Sequence, residues 1–133
     1  MAYEPDPEHR RPEHADDTAV EAAGKLTEAL ELVERARGHL YTFHQLTGRA
    51  DFALDTVTEL LDKAGQGDLA ERIRRDLIGL DVIKDRWTFQ IVEDYDAGYY
   101  ATFRALESEV RDRLMDGRRH VAEAELKQRR TSS

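Results

Sequence analysis

Between Leu26 and Val110 the apolar residues recur at steps of three and four, and no stretch of useful length alternates apolar with polar. Residues three and four apart share one face of an α-helix, whereas a half-buried strand needs alternation. This periodicity predicts an all-α fold: an antiparallel bundle of about four helices, with the first and last helices the long ones. A chain of 133 residues is enough for a single core. The expected organisation is a disordered arm over residues 1–16, one helical-bundle domain over 17–130 and a frayed end at 131–133.

The elements follow from stripes and stop signals. Asp17 or Thr18 can cap a first helix, whose stripe runs Leu26, Ala29, Val33, Ala36, Leu40, Phe43. Gly48 is a candidate terminator or bend. A second helix carries Ala50, Ala53, Leu54, Val57, Leu60, Leu61 and Ala64 on one face, and Gly65 can end it. Asp68 can cap a third helix through Leu69, Ile73, Leu77 and Leu80. After the connector "GLDVIKD", with Asp85 as a cap, a long last helix presents Val92, Tyr95, Tyr99, Phe103, Leu106 and Val110. Gly117 marks a break before a polar helical tail.

The opening "MAYEPDPEHRRPEHADD" is polar and holds all three prolines, hence the expected arm. No apolar run reaches the length that spans a bilayer, and the N-terminus lacks a secretory apolar stretch. Cysteine is absent, which excludes disulfides, thiolate metal sites and thiol catalysis. A cytoplasmic, membrane-free protein is the expectation. Residues 1–34 carry ten acids and three bases, and residues 111–133 carry four acids and seven bases. That asymmetry permits pairing between protomers or docking on a protein partner. Helices of unequal length also favour a homodimer, in which a partner covers the protruding ends. Nucleic-acid binding is disfavoured: the net charge is −8, and no aromatic follows Phe103 for base stacking.

Six of the ten aromatic residues fall in "RWTFQIVEDYDAGYYATF", residues 86–103. Projecting this helix about Tyr99 places Asp96 on the apolar face, Glu93 and Glu107 on its margin, and Asp94 in solvent. A carboxylate on a core face has to be paired or hydrogen-bonded. The first helix offers Arg37 and His44 inward, with His39 at the edge. Three arrangements are open. His44, Glu93 and Asp96 could ligate a divalent metal. Arg37, His44, Tyr95, Asp96 and Tyr99 could bind a small ligand. The same groups could simply satisfy each other in the core. Phe52 lies opposite the stripe of its helix and is expected to be exposed, a candidate interface residue. Trp87 and Tyr100 project off the seam of the last helix, as covers for helix ends or as parts of a protomer interface.

Common catalytic patterns are missing. No histidine follows a glutamate by three residues, His-Glu-x-x-His is absent, and no glycine loop of the phosphate-binding kind occurs. One pattern resembles a known family. Glu28-x-x-Glu31-x-x-Glu34 followed by Glu59-Leu-Leu-Asp62 is similar to the acidic motifs of all-α nucleotide pyrophosphohydrolases of the MazG type. The resemblance covers residues 28–62 and lacks the doubled glutamate that opens the family's first motif. It implies carboxylates on two successive helices that hold magnesium over a triphosphate. The other reading of these acids is a solvated face.

Two functional expectations follow. The first is a non-enzymatic helical protein, without a cofactor, that self-associates and binds a protein partner or small ligand. The second is a divalent-metal-dependent helical enzyme or metal-binding bundle.

Overall fold

A computed structural model describes residues 2–132. It is all-helical, and an isolated bridge between Ile83 and Arg86 is the extended pairing among the described residues. The helices are α1 (Asp17–Lys63), α2 (Gly67–Asp76), α3 (Thr88–Tyr95), α4 (Ala101–Met115) and α5 (Val121–Thr131), with a π-helical turn over Asp96–Tyr100 between α3 and α4. The chain divides into two compact units. The terminal unit comprises Met1–Arg35 with Gly98–Ser133, and the middle unit is Ala36–Ala97.

The first two expected helices are one. α1 runs 47 residues without a break at Gly48. Glycine inside a helix costs about 1 kcal/mol against alanine, which long flanking helical stretches absorb. A helix ends there only if the backbone also finds cap partners, and these come later. Gly65 adopts φ 78°, donates to the Asp62 carbonyl at 3.1 Å, and Gln66 donates to the Leu61 carbonyl at 2.8 Å. These bonds occupy carbonyls that α1 leaves open. At the other end Asp16, one residue earlier than expected, caps α1: its Oδ1 accepts the Ala19 N–H at 2.8 Å.

Other boundaries shift for similar reasons. Gln66, not Asp68, stands before α2, and Asp68 lies in its first turn. α2 stops at Asp76, so Leu77 and Leu80 belong to the turn that follows, where Gly79 has φ 75°. Asp85 has φ 62° in a tight turn and is not a cap. α3 begins at Thr88, where Gln90 Oε1 accepts the Trp87 N–H at 2.8 Å. Gly117 marks a break as expected, with Asp116 and Gly117 both in left-handed conformation after α4.

The core of the terminal unit is made by Ala15, Val20, Ala23, Met115 and Val121, with Val110 and Leu114 against them. Residues 2–16, read from composition as a disordered arm, contribute to it. They form a 3-10 turn at Pro7–His9, and Pro5, Pro12 and Ala15 are buried. Arg11 donates to both carboxylate oxygens of Glu125, at 2.9 and 2.6 Å, and to Asp17 at 2.7 Å. Those two acids raise the Arg11 pKa further, Glu125 first. Thr131 closes α5, Ser132 is extended, and Ser133, like Met1, lies outside the described residues.

The π turn displaces the expected seam of the last helical stretch. A π turn closes i→i+5 bonds and so inserts a residue into the helical count. At two positions burial falls one residue later than even spacing predicts, whereas Phe103 and Val110 stay half-buried where it puts them. Tyr99 and Leu106 are exposed, while Tyr100 and Glu107 are buried. Tyr100 donates its hydroxyl to Glu34 Oε1 at 2.7 Å. Glu107 accepts from Thr27 at 3.1 Å and from Arg111 at 3.2 Å.

Gly24 marks the tightest approach in the terminal unit: a Cβ there would stand 2.7 Å from Ala122 Cβ. Gly24→Ala is expected to destabilise the protein by about 1–3 kcal/mol through overpacking, read as a lower urea midpoint. The double variant Gly24→Ala/Ala122→Gly should recover part of that loss. An unchanged midpoint in the single variant would contradict this packing.

Candidate functional site

The polar residues singled out in sequence separate into two pairings in the middle unit. Asp96 sits at the start of the π turn and faces α1. Arg37 Nε donates to its Oδ1 at 2.7 Å and an Arg37 terminal nitrogen to Oδ2 at 3.1 Å. This two-point, charge-assisted geometry is the strong form of an ion pair. Tyr41 adds its hydroxyl to Oδ2 at 2.7 Å, and the Arg37 guanidinium lies 4.9 Å from the Tyr41 ring centroid. The three side chains are partly exposed. The Arg37 hydrogen bonds, then the Tyr41 hydroxyl, hold the Asp96 carboxyl below its ordinary range. The same bond to Asp96 raises the Tyr41 phenol above its own.

His44 goes elsewhere: its Nδ1 lies 2.6 Å from the Thr88 hydroxyl. Glu93 is exposed on α3. The structure thus does not bring His44, Glu93 and Asp96 into one set, and among the described residues no three His, Asp or Glu side chains gather in a metal-ligating group. Of the residues expected to bind a small ligand, Arg37 and Asp96 meet, and His44 lies against Thr88. Tyr95 is half-buried, and Tyr99 is 58% exposed with its ring 5.8 Å from Phe103. Asp94 is exposed as expected and pairs with Arg86 at 3.0 Å.

Tyr41 and Thr88 were missing from the sequence reading. Tyr41 had a usable signal: it stands four residues after Arg37, so the two share a helix face. Thr88 had none, because it is the first residue of α3 and its partner lies 44 positions earlier.

The acidic ladder is also dispersed. Glu28 and Glu31 are exposed, Glu34 accepts from Tyr100, and Asp62 pairs with Arg74. The pyrophosphohydrolase resemblance implies its two segments on successive helices; here both lie within α1, with no turn between them.

The larger feature of the middle unit is apolar. Among the described residues, twelve of the sixteen large hydrophobic side chains that stay substantially exposed fall between Ala36 and Ala97, while Ala70 and Val92 are its buried apolar residues. Phe52 is 77% exposed, matching its predicted position off the stripe. Trp87 is 60% exposed and meets Phe89 edge-on at 5.4 Å. Phe43, Leu54, Leu77, Leu80, Val82 and Trp87 line an open hollow of about 720 Å³, with Asp51 and Asp81 among its polar groups.

Compared with family models, curated proteins and solved structures, the chain matches none. No helix among the described residues is long and apolar enough to cross a membrane.

The Arg37–Asp96 pair fixes a pH response. A depressed folded-state pKa gives stability that is full above the ordinary aspartate value, about 3.9, and is lost as pH falls through the folded-state value. Asp96→Asn should therefore lower stability at neutral pH, with the gap from wild type closing in acid below pH about 4. Urea unfolding at a series of pH values reads this. A gap that stays constant into acid would show that the carboxylate's charge is not what matters. In Tyr41→Phe the Asp96 carboxyl should titrate higher than in wild type by carbon-detected NMR.

Proposed function

We propose that this is a self-associating helical protein whose middle unit is completed by another polypeptide surface, and that it acts by binding rather than by catalysis. The observation that carries the reading is the apolar surface of the middle unit. Among the described residues, twelve large apolar side chains of this unit stay at the surface while Ala70 and Val92 are its buried apolar residues. Each exposed side chain gains by being hidden, at about 25 cal/mol for each Å² removed from water.

The polar groups support the same reading. Arg37, Tyr41 and Asp96 bond to one another, and His44 bonds to Thr88. Such pairings organise the middle unit and orient its helices. Aromatic side chains at the surface, Phe52 and Trp87 above all, are of the kind enriched at interfaces.

Light scattering on the purified chain should give at least twice the single-chain mass at micromolar concentration. Leu46→Glu/Leu60→Glu, which changes two exposed positions of α1, should return it to the single-chain mass with its helical circular dichroism kept. A wild-type protein that is monomeric at 100 μM and does not bind apolar dyes would sink the proposal.

A further inference from the structure

We propose that the hollow of the middle unit is a binding site for a small apolar molecule that carries a protonated amine. The proposal goes beyond self-association. The hollow lies wholly within residues 43–88 of one chain, and Leu46 and Leu60 do not line it. One wall is a face of α1, with Phe43, Ala50 and Leu54. The other is the segment after α2, with Leu77, Leu80, Val82 and Trp87.

Two tethers hold the walls together. Asp51 Oδ1 accepts the Gly79 N–H at 3.0 Å, and His44 Nδ1 lies 2.6 Å from the Thr88 hydroxyl. Between these anchors the segment is braced on itself, where the Arg86 N–H donates to the Ile83 carbonyl at 2.8 Å. A segment fixed at both ends and braced between them resists collapse onto α1. The space of about 720 Å³ is therefore preformed. Ligand sites of this apolar kind span about 300–1,000 Å³ and carry a few placed polar groups.

Charge selects the ligand. The charged side chains that line the hollow are Asp51 and Asp81, both half-buried. No lysine, arginine or histidine lines it, and neither acid has an ion-pair partner among the described residues. Arg86, next to Trp87 in the chain, is held by Asp94 at 3.0 Å. Carboxylates drawn partly out of water gain from a cation beside them. The exposed ring of Trp87 attracts a cation as well. A neutral apolar molecule would use the walls alone, and an anion would be repelled by both acids.

Dansylcadaverine, an apolar naphthalene sulfonamide with a primary amine on an alkyl chain, is the probe, and its N-acetyl form is the uncharged match. Fluorescence titration at neutral pH should saturate at one amine per chain. The amine should bind about fivefold tighter than the acetylated form, the scale of one or two half-exposed ion pairs. Asp51→Asn/Asp81→Asn should bring the two affinities together, since asparagine keeps an acceptor for Gly79 but no charge. Ala50→Phe, which puts a ring into the hollow from an exposed position of α1, should weaken both forms by about tenfold or more through steric exclusion. Thr47→Phe, on the same wall, is a second blocking variant. Each variant is first shown to keep the wild-type helical circular dichroism. Leu46→Glu/Leu60→Glu should bind the amine as wild type does. No saturable binding, equal affinity for the two forms, or binding that both blocking variants leave unchanged would overturn the proposal. Binding lost in Leu46→Glu/Leu60→Glu would place the probe on the self-association surface and overturn it too. A wild-type monomer that binds the amine in this way would overturn self-association alone.

Discussion

The continuity of α1 through Gly48 is the constraint on which the rest depends. Because no turn interrupts it, the apolar residues of its second half cannot fold back on those of its first, and they have to find cover elsewhere. α3 and the start of the π turn supply part of that cover, through Thr88 on His44 and Asp96 on Arg37 and Tyr41. The cover is partial, since the helix's apolar arc is wider than these elements reach. One continuous helix thus accounts for both the polar network and the exposed apolar side chains.

The two units solve the problem of a small core differently. The terminal unit recruits its own first residues. The proline-rich arm packs, and Arg11 bridges Glu125 and Asp17. Two further carboxylates are held as well, Glu107 by Thr27 and Arg111, and Glu34 by Tyr100. The middle unit has no such supply of side chains, and its large apolar residues stay at the surface. Under the proposed function that difference is a division of labour: one unit is complete in itself and the other is completed by association.

How much was legible in the sequence varied with the kind of interaction. Helicity was, because the three-and-four spacing of apolar residues is a property of the chain alone. So was the need to pair Asp96, since a carboxylate among apolar neighbours demands a partner, and Arg37 was named among the candidates. The π turn was not legible, and it moved the buried tyrosine from Tyr99 to Tyr100. A projection with a constant angle per residue cannot register one inserted residue. The unbroken α1 was missed because glycine was read as a stop on identity, when a stop also requires cap bonds such as those at Gly65.

By itself the sequence determined that this protein is helical, that its arm and tail carry opposite charge, and that its helices have apolar faces. Those are consequences of spacing and composition, which act locally. The tertiary structure decided which flank of α1 is covered, that His44 meets Thr88 instead of Asp96, and that the acids at 28–34 and 59–62 lie along one helix. The first two depend on which distant segment arrives at a given face, and the third on where α1 finds the cap bonds that end it. Spacing along one helix says which residues are neighbours there, and nothing about what lies across from them.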